Sequence, residues 1–283
     1  DDAAVLASRP GQDLVITKDA MVAGVHFLAT DPYDLVARKL MRANLSDLAA
    51  KAAQPFGYFL MTAWPQGFAD SDRETFAHGL AEDGASFDLS LLGGDTVSTP
   101  GPLTLSMTLL GWVPSGQMVR RAGARPGDHV HVSGTIGDGF LGLKAAQGEI
   151  NDPWLADRYR LPQPRLALTP ILREHATAAA DVSDGLIADA GHIALASQVA
   201  MVLDLDALPL SASARTWLDT QADPNPACLA LASGGDDYEV VCTSGTDHLP
   251  GMTRIGQVEV GEGVRVRMGG QWISPGIGGW QHG

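Results

Sequence analysis

A chain of 283 residues is long enough for one large domain or two of ordinary size. Hydrophobic residues make up 45% and charged residues 18%, which supports a real core and excludes a disordered chain. The formal net charge of −14 argues against nucleic acid or an anionic membrane as partner, since both need basic surface.

The two cysteines, Cys228 and Cys242, fit no zinc spacing and are too few for a disulfide framework. Cys242 follows Val240-Val241, so a buried reduced thiol is expected. No apolar run reaches the roughly 18 residues of a membrane span, and no signal peptide is visible. Cytoplasm is the expected location. The abrupt start at Asp1-Asp2 suggests an upstream segment.

Leu14–Thr17 reads as a strand ending at Lys18-Asp19, and Val25-His26-Phe27 as a second short one. Asp31-Pro32 opens a helix whose Leu35, Val36, Leu40, Ala43 and Leu48 keep helical spacing to about Ala53. Asp47 therefore sits on a helix, close to its apolar stripe. Phe56–Trp64 is a strand, and Ser71 with Glu74 predicts a capping box for the next helix. Phe87–Leu92 is a strand ending at Gly93-Gly94-Asp95-Thr96, and Pro102–Val113 another. Residues 114–128, rich in glycine and proline, read as a linker. Beyond it come a strand at 129–132, a helix near 140–147, a helix at 166–175 and a strand at 178–182 ending at Ser183-Asp184-Gly185. A helix carrying Leu186, Ile187, Ala190, Ile193 and Ala194 follows, then strands at 201–205, 238–243, 254–260 and 264–268. Both halves mix helices with adjacent strands, which predicts two α+β domains, 1–113 and 114–283.

Acidic clusters recur at Asp1-Asp2, Thr17-Lys18-Asp19, Asn44–Asp47, Gly93–Thr96, Asp181–Gly185 and Gly234–Glu239. Singly, each has a bland reading: Asp beside Gly is usually a turn, Asp184 a helix cap, Asp1-Asp2 a frayed end. Jointly they point elsewhere, because strand ends are where mixed folds place ligands. Two carboxylates 4 Å apart repel by roughly 4 kcal/mol at an effective dielectric near 20. Carboxylates gathered in one pocket need divalent metal. Oxygen-only ligands favour Mg2+, which usually shares its shell with phosphates. A Mg-nucleotide enzyme is the first hypothesis.

His26 reads equally well as packing or as a donor to substrate, and Arg120-Arg121 with Arg125 as a solvated linker or a phosphate clamp. Trp280 is a packing residue or a face for a cationic ring. No Walker loop, nucleophile elbow or protein-kinase set is present. With four lysines only, neutralising phosphate falls to metal and arginine.

Eight motifs, in order, resemble the thiamine-monophosphate kinase family, within the wider aminoimidazole ribonucleotide synthetase superfamily. They are Asp1-Asp2-Ala3-Ala4, Lys18-Asp19 with Val22–Phe27, Asn44–Ala50, Gly93–Thr96, Arg121–Asp128, Val132–Asp138, Asp181–Leu186 and Ser233–Glu239. The resemblance implies two α+β domains, an N-terminal one whose sheet and helices serve a homodimer and a C-terminal α/β sandwich. It implies transfer of the ATP γ-phosphoryl group to thiamine monophosphate, assisted by several Mg2+ ions and without a covalent intermediate. By matched position, Asp2, Thr17, Asp19, Asp47, Asp95, Asp181 and Asp184 would hold metal. Gly94, Asp95, Arg121 and Ser183 would contact ATP, and His26, Asp236 and Trp280 the thiamine substrate. Lys18 stands where the family has a threonine, and Asp236 where it has a glutamate. The alternatives are another ATP-using synthetase of the superfamily or a non-catalytic nucleotide-binding protein.

Overall fold

The computed structural model describes residues 3–274 and divides the chain into two compact units. The first runs through Leu48 and resumes from Ala53 to Met118; the second takes Ala49–Ala52 and everything from Val119.

The first unit is a four-stranded sheet with two helices. Its elements are β1 (Gln12–Val22), α1 (Tyr33–Ala50), β2 (Gln54–Pro65), α2 (Asp70–Ser86), β3 (Ser90–Thr99) and β4 (Thr104–Pro114), and the sheet order is β1-β4-β2-β3. Alternation sorts its faces. Met21, Leu105 and Thr62 form one buried cross-strand row, whereas Ile16 and Met61 point outward. Leu40, Leu45 and Leu48 of α1 are fully buried, and Phe76 of α2 meets Trp64 edge-on at 5.3 Å. The helices approach so closely at Gly79 that a Cβ there would lie 2.2 Å from the Asp34 carbonyl oxygen. Arg38 and Arg42 lock them together by donating to fully buried Asp83.

The second unit is a seven-stranded mixed sheet with helices. Its elements are β5 (His129–Ser133), α3 (Asp138–Ala146), α4 (Pro153–Arg160), α5 (Thr169–His175), β6 (Ala178–Val182), α6 (Leu186–Ser197), β7 (Ala200–Asp204), α7 (Ala212–Asp219), α8 (Pro224–Ser233), β8 (Glu239–Ser244), β9 (Met252–Glu259), β10 (Gly263–Met268) and β11 (Gln271–Ile273). The strand order is β11-β10-β7-β9-β5-β8-β6. Val132, Ala180, Val182 and Val241 pack one sheet face against Leu186, Ile193 and Ala232. Ala179, Val240 and Cys242 face the other way, against Leu168, Leu172 and Val119. Both cysteines are free and buried, and burial pushes the Cys242 thiol up to about 12.

Four local expectations fail. Val25–Phe27 is a tight turn, closed by Gly24 N–H donating to the Phe27 carbonyl at 2.8 Å, with only an isolated bridge at Phe27. Ser71 and Glu74 make no capping box, since α2 starts at Asp70 with Ala69 as an unbonded cap. Gly93-Gly94-Asp95 lies inside β3, not beyond its end. Helices α4, α7 and α8 and strand β11 were not anticipated.

Candidate active site

The first unit gathers three oxygen-bearing residues. Thr17 and Asp19 sit two apart on β1 and share its inner face. Asp47 reaches them from α1, and its Oδ2 accepts a short hydrogen bond from the Thr17 hydroxyl. Burial, and then the charge of Asp47, raise the Asp19 carboxyl to about 7. A carboxylate pair that retains a proton near neutrality is one that a cation would relieve. The donors are all oxygen, which suits Mg2+.

Lys18 is exposed and out of phase with Thr17 and Asp19, so its ammonium leaves by the opposite face. Restoring the family's threonine, Lys18→Thr, is therefore expected to leave turnover within about threefold of the parent, as surface changes do. Loss of activity in a steady-state assay would show that this lysine has a role.

The sheet register separates Asp95 from this trio. Asp19, Met107, Leu60 and Gly94 form one cross-strand row; Ala20, Ser106, Met61 and Asp95 form the next. The Thr62 and Thr96 hydroxyls meet at 3.1 Å on the buried side, which fixes the phase of β3 and turns Asp95 to the outer face. There its Oδ1 accepts the Thr96 N–H at 2.8 Å. Gly94 is dictated by close approach, since a Cβ would stand 1.9 Å from the Leu60 carbonyl oxygen.

His26 lies in the turn after β1. Its Nδ1 accepts the Val22 N–H at 3.1 Å, which leaves the proton of the neutral ring on Nε2. The Lys39 ammonium donates to the His26 carbonyl at 3.2 Å and steadies the turn.

The second unit carries the other sequence-predicted acids around the end of β6, but among the described residues only Asp184 has a carboxylate grouped with other ligand atoms there, those of Asp189 and His192. Asp181 is buried on β6, and Ser183 and Asp184 follow in the turn to α6. Asp236 comes alongside, its N–H donating to the Ser183 carbonyl at 2.9 Å, with a backbone φ of 67°. Arg121 is exposed, and its charge is felt at Asp189. Its segment is pinned by Ala179 N–H donating to the Arg120 carbonyl at 2.9 Å and by Ser197 Oγ donating to the Arg121 carbonyl at 3.2 Å.

Asp2 and Trp280 lie outside the described residues. Asp237 and Glu239, which share a motif with Asp236, serve the fold instead. Asp237 is buried and accepts N–H groups of Gly137 and Gly139, each at 2.8 Å. Sequence reading missed Asp189. Its signal was a charge three residues after Leu186 and four before Ile193, on the apolar stripe of α6.

Two family models cover most of the chain: AIR synthase related protein, N-terminal domain, over residues 1–113, and its C-terminal domain over residues 125–269. The fold and these two matches define a two-domain protein of the AIR synthase related class. A thiamine-monophosphate kinase of Caulobacter vibrioides is 56% identical over 296 residues, spanning 100% of this chain and 84% of that protein. One from Salmonella typhimurium is 40% identical over 250 residues, 86% of this chain and 74% of that protein. Among solved structures, thiamine-monophosphate kinase from Stenotrophomonas maltophilia K279a matches with TM-score 0.85 at 37% identity, over 96% of this chain and 90% of that one. AaThiL complexed with AMPPCP and TMP matches with TM-score 0.86 at 30% identity, over 98% and 89%. The chain belongs to the thiamine-monophosphate kinase family.

Proposed function

We propose that this chain transfers the γ-phosphoryl group of ATP to the phosphate of thiamine monophosphate, giving thiamine diphosphate and ADP. The Thr17–Asp19–Asp47 cluster carries the reading, because a proton-retaining carboxylate pair beside a hydroxyl is suited to a divalent ion. The relative complexed with AMPPCP and TMP supports both substrates.

In this reading Thr17, Asp19 and Asp47 hold Mg2+ in the first unit, and Asp181 and Asp184 hold it in the second, with Asp2 and Asp95 completing the set. Bound magnesium would supply the positive charge that lets two phosphate anions approach. Gly94 lets backbone pack where a side chain would clash, beside Asp95. Arg121 pairs with ATP phosphate oxygens, and Ser183 offers a hydroxyl. His26 presents its Nε2 proton to the thiamine substrate. The Asp236 carboxylate complements the positive thiamine ring, and Trp280 offers it an aromatic face. The acceptor is already an anionic phosphate, so no strong general base is required. A superfamily enzyme of other chemistry, or a binding protein without turnover, would form no thiamine diphosphate. Thiamine diphosphate formed only with ATP, thiamine monophosphate and Mg2+ together supports our reading. ATP bound but not turned over rejects it.

Losing Arg121 removes a charge-assisted contact worth about 1.5–3 kcal/mol. Arg121→Ala is expected to weaken ATP binding by about 10- to 100-fold. Unchanged affinity in calorimetry would reject the clamp.

The working state is a homodimer in the cytoplasm. Among the described residues, no helix is long and apolar enough to cross a membrane. The outer face of the first sheet leaves Ile16 59%, Met61 36% and Val97 46% exposed, an apolar surface that a second copy would cover. Asp95 would then lie at the subunit boundary. Sedimentation is expected to give twice the chain mass; a monomer at micromolar concentration would remove the dimer.

A further inference from the structure

Asp189 has no part in the proposed chemistry, yet it is 1% exposed and its carboxylate faces the turn that carries Ser183 and Asp184. One oxygen, Oδ2, accepts the N–H groups of both residues, at 3.0 Å each. The carbonyls of the same turn are taken from the other side. Tyr238 N–H donates to Val182 at 2.7 Å, and Asp236 N–H to Ser183 at 2.9 Å. The turn has no slack on that side. A Cβ at Gly185 would stand 2.4 Å from the Ser233 carbonyl oxygen, and one at Gly235 would stand 2.4 Å from that of Ser183. Asp189 closes the remaining side from the first turn of α6.

We propose that Asp189 is a positioning residue, whose carboxylate oxygen sets the directions of the Ser183 and Asp184 side chains for nucleotide and metal. The inference rests on the kinase reading for what those two side chains do. A helix residue is a rigid place from which to hold a turn, and two charge-assisted bonds to one oxygen fix both peptide planes. Holding Asp189 beside Asp184 puts two carboxylates together, a cost that a purely structural acceptor would not need to bear.

The rival role is direct ligation. Ligand atoms of Asp184, Asp189 and His192 lie within 4.8 Å of one another, so Asp189 could itself hold the ion. Two substitutions separate the roles. Asp189→Asn keeps an oxygen that can accept both N–H groups but loses the charge. Asp189→Ala removes the acceptor. Calorimetry with Mg2+ and AMPPCP, with backbone hydrogen exchange on the same samples, reads the result. A positioning role predicts Asp189→Asn within about fivefold of parent affinity, since neutral acceptors hold such bonds less strongly. It predicts Asp189→Ala weaker by about 100-fold, as misplacement costs, with exchange accelerated at Ser183 and Asp184 while β6 stays protected. Equal loss in both variants would make Asp189 a ligand and overturn the proposal, as would an unaffected Ala variant. Should the Ala variant not fold, the Asn variant decides alone: a loss beyond about tenfold in a folded protein overturns positioning. A parent that binds nucleotide without transferring phosphate rejects the kinase reading but leaves these comparisons intact.

Discussion

Replacing Asp19 with asparagine is expected to lower turnover by about 10²–10³-fold and, in metal-free protein, to raise the melting temperature above pH 7. The two effects share a cause. In the fold, burial and Asp47 hold the Asp19 carboxyl at about 7 instead of its ordinary 3.8. Between those values the folded chain binds a proton that the unfolded chain has released. Stability therefore falls as pH rises through that window, and the full penalty stands above pH 7. Asparagine cannot ionise and escapes it, but it is a poorer ligand for a hard cation. Each kcal/mol recovered would move the midpoint by about 2–8 °C. Asp189, raised likewise to about 7 by burial and Asp184, keeps its own slope in the variant. Thermal scans in chelator from pH 5 to 9 check the first half, and steady-state kinetics with saturating Mg2+ the second. A variant as active as its parent would remove Asp19 from the metal set, and one no more stable at pH 8 would show that its carboxylate carries no penalty in the fold.

The same opposition between stability and function explains what could be read from residues alone. Asp47 on an apolar helix stripe is a charge where burial should forbid it, legible because only a ligand or a partner makes such a placement tolerable. Asp181 was legible only as part of a recurring acidic motif. Asp95 was legible as a motif but not in its direction. That depends on the phase of β3, which Thr62 and Thr96 settle across the sheet. Gly93-Gly94 looked like the end of a strand because glycine usually breaks one. Here it marks a close backbone approach at Leu60 within the strand. Helices α4, α7 and α8 each carry a start signal in the sequence. Asp152, Ser211 and Asp223 all accept a backbone N–H in the first turn, and proline opens α4 and α8. Their short lengths hid the periodicity that exposes longer helices.

Glu239→Ala is expected to be strongly destabilising, costing about 3–5 kcal/mol in denaturant unfolding, with activity lost as a consequence of the fold. Glu239 is fully buried at the start of β8. Ser133 Oγ donates to its Oε2 at 2.6 Å, Arg165 Nε donates to the same oxygen at 2.5 Å, and the Arg165 Nη2 grips Oε1. Buried Arg158 stands 3.4 Å from Oε1. Those bonds raise the already high affinity of the Arg165 guanidinium for its proton. Removing the carboxylate would strand two guanidinium groups and one hydroxyl without their acceptor. One neighbour can soften the loss. Glu239 is among the charges that push the Asp237 carboxyl up, so its removal makes an ionised Asp237 cheaper, and the Asp237 carbonyl already lies 3.5 Å from Arg158. Glu239→Gln keeps an acceptor for Ser133 and Arg165 and should lose less than half as much. An alanine variant within about 1 kcal/mol of the parent would show that the pair is worth no more than a surface contact.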